Sequence, residues 1–116
     1  MTTIMRLNSG RRMSQAVIHN GTIYLAGQVG APGECAANQT QAILAKIDAL
    51  LEQSGSDKSH VLSATIWLAD MADFEEMNAV WDNWIDREAP PARATGQSRL
   101  AGPDYRVEII VVAAVK

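Results

Sequence analysis

The chain alternates between two hydrophobic periods. In "MSQAVIHNGTIYLAG", Val17, Ile23 and Leu25 sit in two short runs around Asn20–Gly21. That pair tolerates the left-handed backbone a two-residue hairpin needs, so the stretch predicts two strands around a tight turn. A weaker strand is signalled over residues 4–7. Gly27 and Gly30 then break the pattern, and "AANQTQAILAKIDALLEQSG" adopts helical spacing. Its stripe is Ile43, Ile47, Leu50 and Leu51, and Gly55 suits a left-handed cap. "VLSATIWLA" returns to alternation: Leu62, Ala64, Ile66 and Leu68 on one face, Val61, Ser63, Thr65, Trp67 and Ala69 on the other. Asp73 and Glu76 have the spacing of a capping box ahead of Phe74, Met77, Val80, Trp81 and Trp84. Pro90 and Pro91 stop that second helix. "ARATGQSRL" predicts a strand in which Gly96 marks a bulge or a close backbone approach. "YRVEIIVVAAV" is the strongest strand signal in the chain.

The predicted order is strand, strand, helix, strand, helix, strand, strand, with the weak strand ahead. That is an α+β fold, a two-layer sandwich of a mixed β-sheet and two helices. The last two strands are expected to pair as a long hairpin. The final strand has a problem of cover. Val107, Ile109, Val111, Ala113 and Val115 occupy one side and Ile110, Val112 and Ala114 the other, so both sides favour burial. Two helices on one side leave the second face bare, and self-association is the expected remedy.

Composition narrows the class. With 116 residues and 12.5 kDa, one domain over residues 1–116 is expected. A hydrophobic share of 47% argues against disorder. Ten basic and 13 acidic residues leave a net charge of −3, so no general attraction for nucleic acid or anionic lipid is expected, although Arg11 and Arg12 form a local basic pair. Cys35 is the single cysteine, and no signal peptide or long apolar run is apparent; a cytoplasmic protein without membrane association is the expectation.

Two charges interrupt apolar strands. Arg93 follows the paired prolines, and Glu108 shares a strand face with Ile110, Val112 and Ala114. A guanidinium offers two parallel N–H donors that match a carboxylate, and a nearby carboxyl can orient water or take its proton. The pair therefore suits a pocket for a small carboxylate-bearing substrate. An ion pair closing an oligomer interface, or two unrelated rim charges, fit the same residues. His19 and His60 lack metal-ligand spacing, "GQVGAPG" lacks the lysine of a phosphate loop, and the tryptophans read as core. Cys35, near a helix start, has no identifiable base.

The combination "LAGQVG", helix–strand–helix, "PPARATGQS" and "YRVEIIVVAAV" resembles the RidA (YjgF/YER057c/UK114) family of reactive imine/enamine deaminases over essentially the whole chain. The resemblance implies a chorismate-mutase-like subunit assembled as a homotrimer, with clefts between subunits. It implies hydrolysis of 2-iminopropanoate and similar 2-imino or enamino acids to 2-oxo acids and ammonia, with no cofactor. By the same resemblance Arg93 binds the substrate carboxylate, Glu108 attends the catalytic water, and Gly27 lines the cleft. Thr95 stands where many members carry cysteine, Ala26 where a hydroxyl residue is common, and Met13 where the deaminase branch has tyrosine. These three departures make a non-catalytic binder of a small carboxylate metabolite the alternative function.

Overall fold

The computed structural model describes residues 3–116. Six strands form one sheet: β1 Met5–Leu7, β2 Ala16–His19, β3 Thr22–Leu25, β4 Val61–Leu68, β5 Ala92–Gln97 and β6 Val107–Ala114. Helices α1 (Ala36–Gln53) and α2 (Phe74–Trp84) occupy one side of it. The expected α+β two-layer architecture is therefore the observed one. The spatial order is β1-β2-β3-β6-β4-β5, mixed because β5 runs parallel to β4 while the remaining neighbours are antiparallel. Asn20 and Gly21 form the hairpin turn with φ of 53° and 76°, the doubly positive geometry that this dipeptide favours.

The expected pairing of the last two strands is corrected: β6 inserts between β3 and β4, and β5 is an edge strand on the far side of β4. The physics follows from the side chains. Val107, Ile109, Val111 and Ala113 are fully buried, and a strand apolar on both faces gains most from a central position. The β4–α2–β5 crossover instead returns β5 parallel to β4, as a helical connection does.

The helix-side core is continuous. Ile43, Ile47 and Leu51 of α1 and Met77 of α2 pack with Ala64, Ile66 and Leu68 of β4 and the inner row of β6. At the start of β4 a register shift between Val61 and Ser63 reverses the expected faces, burying Val61 and leaving Leu62 51% exposed. Gly55 takes φ 79° just after α1, as its capping role requires.

The capping box at α2 does not form. Asp73 makes no side-chain cap and is approached by Arg106 at 3.4 Å, while Glu76 Oε2 accepts from the backbone N–H of Ala37 at 2.7 Å. Glu76 thus satisfies an orphan donor in the first turn of the other helix. Gln39, fully buried, also ties α1 to the entrance of β6. Its Nε2 donates to the carbonyls of Glu34 and Asp104, and its Oε1 accepts from Arg106 N–H at 2.7 Å.

Candidate functional site

Strand parity decides where the two charges go. Arg93 pairs with Ala64 of β4, and Glu108 pairs with Trp67 of the same strand. Those partners are an odd number of residues apart, so their side chains leave opposite faces of the sheet. Ala64 is buried under the helices. Arg93 accordingly lies on the helix side, and Glu108 on the open side with Ile110, Val112 and Ala114. Within one chain the two do not meet.

Arg93 is nonetheless held. Its guanidinium carbon sits 5.4 Å from the ring centroid of Trp81, a geometry for cation–π attraction. Trp81, 5% exposed, was legible in the sequence only as a core residue; its service as a shelf for Arg93 was not. Among the described residues the Arg93 side chain makes no hydrogen bond or ion pair. Its N–H donors are unclaimed, on the half-buried face of an edge strand. Thr95, two residues on and on the same face, has its Oγ1 buried without a hydrogen-bond partner, as does the Oδ1 of Asn78 on α2. Nothing in the sequence singled out Asn78.

The open side builds a second group of residues. Tyr24 pairs with Val112, and Gln28 bridges to Ile109. From Tyr24 to Gln28 the chain thus advances four residues, against three between Ile109 and Val112 on β6. The extra residue is a bulge at Ala26–Gly27, a device that re-aims backbone beside a site. The bulge is pinned: Ala26 N–H donates to Gln15 O at 2.9 Å, and Gln28 Nε2 donates to both Gln15 Oε1 and Ala26 O. A Cβ at Gly27 would run into the Glu108 carboxylate, with the Glu108 Cδ 3.0 Å and Cγ 3.3 Å away. Only glycine leaves the carboxylate where it is. Glu108 makes no hydrogen bond or ion pair among the described residues, so it too is unclaimed. Gly96 serves the same face by letting the Trp67 ring close over β5, where a Cβ would lie 3.0 Å from Trp67 Cζ3. The expected irregularity at Gly96 is therefore a close approach, within continuous pairing of Ala92–Gln97 with β4.

Met13 lies in the loop between β1 and β2, half exposed, two residues before Gln15 and hence near the Gly27 bulge. The five residues singled out from the sequence thus divide into two groups. Arg93 and Thr95 stand on the helix-side face of an edge strand; Glu108 and Gly27 touch on the open face, with Met13 in the loop beside them. Cys35 is exposed at the N-cap of α1, and His60 Nδ1 lies 2.7 Å from Asp57 Oδ1, at the opposite end of β4 from Trp67. Among the described residues no group of three or more His, Cys, Asp or Glu side chains could hold a metal ion, and no helix is long and apolar enough to cross a membrane.

Comparison with known proteins agrees with the fold. A solved YjgF-family protein of Neisseria meningitidis is 48% identical and superposes with a TM-score of 0.96, covering 98% of this chain and 96% of its own. The RutC family protein YoaB of Escherichia coli is 48% identical over 113 residues, 97% of this chain and 99% of that protein. The 2-iminobutanoate/2-iminopropanoate deaminase of Bos taurus is 37% identical over 108 residues, 86% of this chain and 77% of that enzyme. Residues 3–115 match the family model of endoribonuclease L-PSP, Ribonuc_L-PSP. The chain belongs to this family, the one to which the YjgF proteins also belong.

Proposed function

We propose that the protein hydrolyses small 2-imino acids at clefts between copies of the chain in a homotrimer, each cleft joining Arg93 and Thr95 of one subunit to Gly27, Glu108 and Met13 of the next. The observation that carries this reading is the unclaimed guanidinium of Arg93, oriented on Trp81 at the sheet edge. An arginine fixed in this way with its donors free is a receptor for a carboxylate. The bare, largely apolar face around Glu108 gives a neighbouring copy something to cover, and the 37% identity to the bovine deaminase supplies the reaction class.

In the proposed cleft Arg93 clamps the substrate carboxylate and so places the C=N carbon beside a water held by Glu108. Glu108 accepts a proton from that water as its oxygen bonds to carbon and the C=N π-electrons move to nitrogen. That proton passes to the nitrogen to give the carbinolamine. Its hydroxyl proton then moves to the nitrogen by way of Glu108 as the C–N bond breaks, so that ammonia leaves and the 2-oxo group forms. Imines hydrolyse readily, so positioning and one proton handler suffice. No step needs a cofactor.

A mixing experiment tests both halves at once. R93A and E108Q should each lose at least about 100-fold in clearance of freshly generated 2-iminopropanoate. When the two variants are dissociated, mixed and reassembled, roughly a quarter of wild-type activity should return, because a random seam then unites two intact halves that often. No recovery in verified mixed assemblies would exclude a composite site. Saturable binding of 2-oxo acids without any rate enhancement would instead select the binding-protein reading, which the inward-facing Thr95 hydroxyl and the methyl of Ala26 favour by thinning the polar lining.

A further inference from the structure

The loop between β1 and β2 carries a feature that the proposed reaction does not use. The chain has no aspartate or glutamate before Glu34, yet Arg6, Arg11 and Arg12 lie in that segment of a protein whose net charge is −3. The loop is ordered by its own bonds. Gly10 N–H donates to Met13 O at 2.8 Å, the Ser9 and Ser14 hydroxyls meet at 2.8 Å, and Gln15 N–H donates to Leu7 O at 3.1 Å. Asn8, at φ 52°, reaches across to Gln53 of α1 at 3.1 Å. This frame borders an open concavity of about 710 Å³ whose lining includes Arg11, Arg12, Met13 and Gln15.

Neither Arg11 nor Arg12 makes an ion pair or side-chain hydrogen bond among the described residues, unlike Arg106, which faces Asp73. Two adjacent, exposed guanidiniums with no partner in the chain have donors free to share one anion. Gln15 lines the same concavity and, through its carbonyl, holds the Ala26 N–H of the bulge where Glu108 rests on Gly27. The arginines therefore belong to a loop whose far end is bonded to the bulge that carries Gly27.

We propose that Arg11 and Arg12 form a second anion subsite, which receives an acidic group at the far end of the substrate side chain. This rests on the deaminase reading and narrows it to 2-imino acids with two carboxylates. Arg93 would take the carboxylate next to the imine, and the loop would take the distal one. The distal carboxylate is unchanged in the reaction, so hydrolysis balances as written above.

Binding of stable product analogues provides the test. Calorimetry on the wild-type assembly should show 2-oxoglutarate binding about tenfold more tightly than 2-oxobutanoate, and R11Q/R12Q should remove most of that preference. R11K/R12K, which keeps the charge and loses the planar fork, should fall between them. In turnover, 2-iminoglutarate should be cleared faster than 2-iminopropanoate by the wild type and not by R11Q/R12Q. If neither imine is turned over but the preference for 2-oxoglutarate persists, the subsite stands and the deaminase reading fails. Equal affinity of the wild type for the two oxo acids overturns the subsite, as does equal weakening of both in R11Q/R12Q. So does a single-stranded RNA that depends on both arginines while 2-oxoglutarate is ignored.

Discussion

The two faces of the sheet obey different rules. On the helix side Ile23, Ile66, Ile109 and Val111 are fully buried, and the buried Gln39 has its bonds made within the chain, with Thr95 Oγ1 and Asn78 Oδ1 the exceptions. On the open side Tyr24 is half exposed, Ile110 and Val112 are only partly covered, and Glu108 has no partner among the described residues. One face is closed except near Arg93, and the other is bare along much of its length. The contrast teaches where to look for function in a small domain: at groups whose positions are fixed but whose bonding capacity is unspent. Arg93 follows the same rule from the other side, held by an aromatic face that leaves its donors free.

The largest expected effect sets one face against the other. Ile66→Ala should destabilise the fold by about 2–5 kcal/mol in denaturant titration, the usual result of truncating a fully buried side chain, while assembly persists. Val112→Asp should do the reverse, keeping the circular dichroism of the folded chain while sedimentation falls to the 12.5 kDa monomer. A V112D protein that stays assembled would show that the open face is not the contact surface.

A smaller effect probes the floor of the candidate site. Gly27→Ala forces the Glu108 carboxylate aside, so imine clearance should drop by about 100-fold, the scale of misplacing a reacting group by an ångström. Melting temperature should change little, because Glu108 can swing toward the open face. Retention of full clearance in G27A would remove Glu108 from the mechanism.

The least effect belongs at the far end of β4. Asp57 accepts from His60, and this bond, with the His60 and Lys116 charges and the Ser59 N–H, holds its carboxyl below the ordinary value of 3.8. A depressed carboxyl contributes stability that is present above that ordinary value and lost as pH falls through the folded one. Asp57→Asn should therefore flatten the acid limb of a stability–pH curve slightly below about pH 4 and leave imine clearance at neutral pH unchanged. An unaltered acid limb would show that the contact adds nothing in solution.

Much of the fold was readable because its signals are local. Asn20–Gly21 fixes a hairpin through backbone freedom, the Ile43–Ile47–Leu51 stripe a helix through spacing, and the run through Val107–Ala114 a strand through its two dry faces. The strand order was not readable, because the sequence places β5 next to β6 while the crossover helix sends it to the far side of β4. That one difference separates Arg93 from Glu108, since faces are assigned by parity against β4. Leu62 was misassigned because a register shift leaves no mark on alternation. Asp73 and Glu76 had the spacing of a cap, yet each found a partner distant in sequence, Arg106 and Ala37. Local pattern names the residues of the candidate site; only tertiary register tells which of them share a side.

The Glu76 bond to Ala37 couples events that sequence distance would keep apart. Since the opening turn of α1 borrows its acceptor from α2, fraying at Ala37 breaks the bond to Glu76, and amide exchange at Ala37 should report the docking of residues 74–84. A perturbation of α2 beneath Arg93 thus has a bonded route, through Glu76, to the start of α1.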